Sequence, residues 1–168
     1  GVSGVDKIAN FYEWNVEQGG PIVRNKVWFY GAFRKARYDK PIANTFVPPP
    51  GTANIPAFFR QCLASPGSCE QGVSDEKMDN PVVRITWQMS EKNKLATYMD
   101  RALRLRGHAM GSLTEPTTAS VIWNTPTFAT GSVKWTSTAS SRLLLENGFS
   151  FNRERYDNLY QPGIYAER

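Results

Sequence analysis

The connections between strand-like segments are short at one end and long at the other, and this asymmetry constrains the fold more than any motif. Short polar turns fall at Val23-Arg24-Asn25-Lys26, at Ser90-Glu91-Lys92-Asn93 and between Thr136 and Ser141. Two long loops, 39–80 and 102–126, separate them. A soluble sandwich mixes its connection lengths at both ends. Tight turns on one side and long loops on the other are the pattern of a transmembrane β-barrel. A structureless loop as long as 39–80 also counts against a compact soluble domain.

The segments themselves carry the period of two that marks strands. In the first, residues 7–18, Ile8, Tyr12, Trp14 and Val16 share a parity, interrupted by Asn10, while Glu13, Asn15 and Glu17 take the other. Gly19-Gly20-Pro21 is expected to break it, since proline cannot donate to a ladder. The second, residues 27–38, is apolar on both faces near its turn: Val27, Phe29 and Phe33 against Trp28, Tyr30 and Ala32. Such a segment suits an aromatic girdle at a membrane interface, or equally a strand buried on both faces. In the third, Val83, Ile85, Trp87 and Met89 alternate with Arg84, Thr86 and Gln88. The fourth runs from Leu95 to Arg101 without a clear lipid face. The fifth sets Val133 and Trp135 against Lys134, and the sixth sets Leu145, Phe149 and Phe151 against Glu146. A helical turn is expected around 57–63, a short extra strand at Val121-Ile122-Trp123, and another loop from Arg153 onward.

The pattern predicts an all-β fold: an antiparallel up-and-down meander of about six strands, forming an open arc of a large outer-membrane β-barrel. Its hairpins are expected at about 7–38, 81–101 and 127–152. Val83, Ile85, Trp87, Met89, Val133, Trp135, Leu145, Phe149 and Phe151 are predicted to face lipid. Arg84, Thr86, Gln88, Lys134 and Glu146 are predicted to face the lumen. Six strands cannot close such a barrel, which starts at eight. The chain opens at Gly1 without a leader-like region, and it reads as a piece of a larger protein.

Composition bears on function mainly by exclusion. No run approaches the ~18 apolar residues of a transmembrane helix. The mean hydropathy of −0.45 is uninformative, because barrel strands hide their lipid face in alternation. The formal net charge is +5, but the Lys and Arg residues are scattered, with mild clusters only at 101–106 and 153–155. Trp87 and Trp135 take the parity opposite to Arg84 and Lys134, unlike a stacking platform for single strands. No nucleic-acid partner is expected. Cys62 and Cys69 are spaced for a local loop disulfide, with two free thiols as the plainer alternative. His108 is the one histidine, far from both cysteines, so no metal site and no cofactor are expected. Catalytic motifs are absent and the chain is read as no enzyme. Asp100 and Glu146 could be named a carboxylate pair. Cross-strand pairing of such charges with Arg84, Arg101 or Lys134 is the better reading.

The stretch Gly19-Gly20-Pro21-Ile22-Val23-Arg24-Asn25-Lys26-Val27-Trp28-Phe29-Tyr30-Gly31 resembles a signature of TonB-dependent outer-membrane receptors, in the Oar-like branch with a carboxypeptidase-regulatory-like domain. The stretch from Asn80 to Leu95 and the pieces Val133 to Thr136, Leu143 to Glu146 and Phe149 to Phe151 are similar to the hairpins that follow. The resemblance implies the early barrel of a transporter in the outer membrane, without its plug domain or TonB box. Its implied partners are outer-membrane lipid, its own plug and through it TonB, and a large scarce solute such as a siderophore, an oligosaccharide or a peptide. The alternative is a soluble ligand-binding β-barrel of lipocalin type, with its apolar residues turned inward.

Overall fold

The computed structural model describes residues 7–49 and 56–164 and is all-β, an antiparallel seven-stranded sheet in a meander-like order. The strands are β1 (Asn10–Val23), β2 (Val27–Phe46), β3 (Gln71–Ser90), β4 (Asn93–Arg101), β5 (Leu103–Ala109), β6 (Val121–Ser140) and β7 (Leu143–Tyr160), with one helix, α1 (Pro56–Ala64). Neighbours in space are β1-β2-β3, then β4 and β5 together, then β6 and β7.

β4 and β5 are one strand in two pieces. The register that pairs Val82 with Asp100 on β4 continues unbroken to pair Asp79 with Leu103 on β5. The ladder lapses at Pro81 and Asn80, opposite Arg101 and Ala102, and Pro81 has no N–H to give. Ala102 instead donates its amide to the Phe128 carbonyl on β6, at 2.9 Å. β6 carries one extra residue near Pro126, where its register shifts against β7 between Asn124 and Thr127. This is a bulge at a residue that cannot serve a ladder. The sheet is therefore six ribbons wide.

All three tight turns lie at one end. Asn25 turns β1 into β2 with a φ of 59°, and Lys26 donates to the Val23 carbonyl at 3.0 Å. The third turn is shorter than expected, since β6 runs to Ser140 and β7 begins at Leu143.

At the far end the strands outrun the expected hairpins. The expected loop 39–80 shrinks to 47–70, because β2 and β3 stay paired from Asp39↔Asp75 through Pro41↔Val73. The loop 102–126 shrinks to 110–120, flanked by β5 and the start of β6. Val121-Ile122-Trp123 opens β6 and is no separate strand, and β7 continues through Arg153 to Tyr160. Nor does Gly19-Gly20-Pro21 end β1. Those residues pair with Tyr30, Phe29 and Trp28, and the irregularity falls only between Pro21 and Val23. Pro21 is tolerated because it lies at the irregularity beside the turn, where the ladder between β1 and β2 slips.

Strand takes up most of the described residues, so little is left to cover the sheet. Ile42, Phe46 and Cys62 are the buried apolar residues among those described. Ile42 and Phe46 belong to a small cluster at the loop end, with Thr45, Ser120, Thr125 and Gln161 also buried. Gly72 permits that closeness: a Cβ there would stand 2.5 Å from the Thr45 methyl and 2.7 Å from the Pro116 ring. Cys62 of α1 is disulfide-bonded to Cys69, and α1 covers the expected helical turn.

Candidate functional site: two unlike faces of one sheet

Because side chains alternate across a strand, the registers sort the whole sheet into two faces. Reading across neighbours, one row runs Gly20, Phe29, Ile85, Thr97, Val133, Phe149. The row toward the turns runs Val27, Trp87, Leu95, Trp135, Asn147, and the row above runs Gln18, Gly31, Val83, Met99, Gly131, Phe151. This face is apolar and open: Ile85 is 41% exposed, Trp87 45%, Val133 43% and Phe149 69%. Val83, Met89, Leu145 and Phe151 are exposed with them, while Trp135 is half-buried. All nine residues expected to face lipid thus share one face. They do not gather into a dry centre.

The other face is polar and internally bonded. Arg84, Thr86, Gln88, Lys134 and Glu146 all lie on it. Lys134 Nζ meets Glu146 Oε1 at 2.8 Å, and Arg34 Nη2 meets Glu13 Oε2 at 2.8 Å. The Tyr30 hydroxyl donates to Glu17 at 2.6 Å. The Arg84 guanidinium lies over the Tyr98 ring, 5.7 Å from its centre. Asp100 accepts from Asn80 Nδ2 at 3.2 Å. Asp100 pairs in register with Thr130, and Glu146 with Thr136, so the two carboxylates are not brought together.

On the apolar face the apolar run of β2, β3, β4 and β7 ends at a definite residue, although Leu103 and Leu105 of β5 lie on the same face beyond Arg101. Above Phe33 comes Lys35, above Pro81 comes Asp79, above Met99 comes Arg101 and above Phe151 comes Arg153. On β1 the apolar run lasts until Tyr12, three rows above Gln18 and therefore three rows above Phe151 on β7. Three rows are about 20 Å along a strand, and five interstrand spacings are about 24 Å across. The boundary thus rises toward β1, by one row between β7 and β2 and by two more at β1 itself; barrel strands cross a bilayer at a tilt of about 40°. The apolar part of β3, from Pro81 to Met89, is about 27 Å of strand, or roughly 20 Å of height at that tilt. An outer-membrane barrel's apolar band is about 25 Å tall.

Above the boundary polar and charged side chains occupy both faces, with Val73, Leu105 and Leu159 exposed among them. Glu76 accepts from Arg106 Nε at 2.7 Å and from the Tyr38 hydroxyl at 2.9 Å, and Lys35 Nζ lies 4.0 Å from Asp79. The Arg106 guanidinium stacks over Trp123, 5.3 Å from its centre. A cleft of about 530 Å³ opens here, lined by Asn10, Arg37, Asp39, Glu70, Asp75 and His108 among others, with His108 Nδ1 2.8 Å from Asp75 Oδ1. Sequence reasoning missed this cleft, because no apolar alternation marks the strands that wall it. In the 110–120 loop Glu115 is buried and accepts from the amides and hydroxyls of Thr117 and Thr118. Burial pushes its carboxyl up, but those hydrogen bonds prevail and hold it below the ordinary carboxylate value.

Among the described residues, no group of three or more His, Cys, Asp or Glu side chains is placed to hold a metal ion. Likewise, no helix there is long and apolar enough to cross a membrane. Comparison with known proteins finds no matching family model, no matching curated protein and no matching solved structure.

Proposed function

We propose that this chain is part of the wall of an outer-membrane β-barrel of the TonB-dependent type, with the apolar face toward lipid and the polar face toward the lumen. The observation that carries this reading is the slanted boundary of the apolar face. A flat membrane meeting tilted strands cuts their rows obliquely, and the edge of this apolar band rises across the strands toward β1. A soluble lipocalin-like barrel requires Ile85, Trp87, Val133 and Phe149 indoors, and their exposure speaks against it. The face covers about 25 by 25 Å, or roughly 600 Å² in projection, already at the top of what soluble monomers leave bare.

Further strands of the same protein complete the sheet in this reading. β1 pairs only with β2 and β7 only with β6 among the described residues, and open edges do not persist in lipid. Loops 47–70 and 110–120 then stand outside the cell and make the first contact with a large scarce solute. A siderophore, an oligosaccharide or a peptide fits the resemblance of 19–31 to TonB-dependent receptors. The plug and TonB are partners outside this chain. The role is transport rather than catalysis.

Limited proteolysis of intact cells carrying the full-length protein tests this. Cleavage is expected within 47–70 or 110–120 and nowhere near the three tight turns. Cleavage at Arg24 or Lys92 in sealed cells, with both loops spared, would reverse the orientation or remove the protein from the outer membrane.

A further inference from the structure

We infer that Arg101 and Arg153 form a phosphate-binding step above an acyl-chain groove, which together hold one anionic, phosphate-bearing lipid against the outside of the sheet. The inference rests on the membrane reading above and adds a ligand to it. The groove has a volume of about 330 Å³ and is lined on the apolar face by Val83, Ile85, Met99, Val133, Phe149 and Phe151 among others. It lies beside Gly131, where a Cβ would collide with the Phe151 ring. Glycine at that point lets the ring fold down over the backbone.

One row above the groove, the registers set Arg101, Ala129 and Arg153 side by side. The two arginines are thus about 10 Å apart at the backbone, with a small residue between them. Both are exposed, and neither has a carboxylate partner within ion-pair distance among the described residues. Nearby acids are engaged elsewhere: Asp157 with Arg155 at 3.2 Å, and Asp100, on the opposite face, with Asn80. Arg101 uses Nη2 on the Pro126 carbonyl at 3.2 Å, which anchors the side chain and leaves its other donors outward. A lipid whose chain lies in the groove brings its phosphate to this row. There, two guanidinium forks can grip its oxygens.

The test uses the full-length protein that carries this chain, in detergent micelles, with retained lipid read by native mass spectrometry. Phosphatidylglycerol is expected to be retained about tenfold over phosphatidylcholine, and R101Q/R153Q to abolish the preference. R153Q alone, on the open surface, is expected to lose a few-fold and serves if the double variant does not fold. An unchanged preference in these variants overturns the site. So does displacement of the lipid by millimolar inorganic phosphate, which would make it a site for a free anion. Quenching of tryptophan fluorescence by phosphatidylcholine with brominated chains, compared with W87F, reports on the parent reading. Quenching through Trp87 with no arginine effect sinks the lipid site only, and no quenching sinks the membrane reading as well.

Discussion

The half of the sheet nearest the tight turns and the half nearest the loops share strands, registers and hydrogen-bond ladders, yet they are stabilised differently. Near the turns, one face is apolar and unburied within the chain, and the other is a net of cross-strand pairs such as Lys134–Glu146 and Arg34–Glu13. Near the loops, charged and polar side chains stand on both faces among scattered apolar ones, and a small buried cluster with a disulfide-bonded helix closes the end. In the proposed reading the first half meets lipid, where its bare side chains gain from a surrounding solvent of low polarity, and the second meets water. One continuous ladder crosses both, which is why pairing alone does not reveal the boundary.

Charge placed on each half should separate the two most strongly. Ile85→Arg, in the middle of the apolar face, is expected to cost about 2–4 kcal/mol of folding stability in lipid vesicles, measured by urea titration. Thr86→Arg, its neighbour on the polar face, should cost under about 1 kcal/mol. Equal costs would erase the distinction between the faces. A steric change comes next. Gly131→Val should destabilise by about 1–3 kcal/mol, because the added side chain meets the Phe151 ring. Adding Phe151→Ala should recover part of that loss in a double-mutant cycle, and strict additivity would show that the two do not touch.

The smallest effect is confined to the loop end. Glu115→Gln should cost about 1–2 kcal/mol of local stability, seen as faster amide exchange at Thr117 and Thr118 with the β3 and β6 amides unchanged. Because the folded carboxyl titrates below its ordinary value, its stabilising contribution is fully present above that value, near 4.3. It is lost as pH falls through the lowered one. Exchange at the two threonines should therefore accelerate in acid relative to E115Q. A pH-independent difference would mean that the carboxylate charge is not what holds the turn.

Wherever one face is apolar, the sequence made the strands plain. Val83, Ile85, Trp87 and Met89 against Arg84, Thr86 and Gln88 fix β3 and its faces by period alone, and the Cys62–Cys69 spacing fits the bond observed. The strand lengths were not legible. From Asp39 to Phe46 and from Gln71 to Asn80 neither parity is apolar, so the hydrophobic period that marks a strand is missing. What continues those strands is cross-strand chemistry, as in Tyr38 and Arg106 converging on Glu76, and that requires knowing the register first. Gly19-Gly20-Pro21 misled for the opposite reason. Glycine and proline signal a break locally, but a strand end with a register irregularity tolerates both. The fourth strand had no evident lipid face until its register with Val83 and Gly131 put Met99 on the apolar side.

The most direct measurement is a nitroxide scan along β3 from Val73 to Met89 in the full-length protein reconstituted into vesicles. Accessibility to oxygen should alternate with period two from Val83 to Met89, high at Val83, Ile85, Trp87 and Met89 and low at Arg84, Thr86 and Gln88. Below Pro81 in number, at Val73, Asp75 and Lys77, a water-soluble nickel chelate should take over as the relaxing agent. Ile85 and Trp87 shielded from both reagents, as in a sealed globule, would contradict the account.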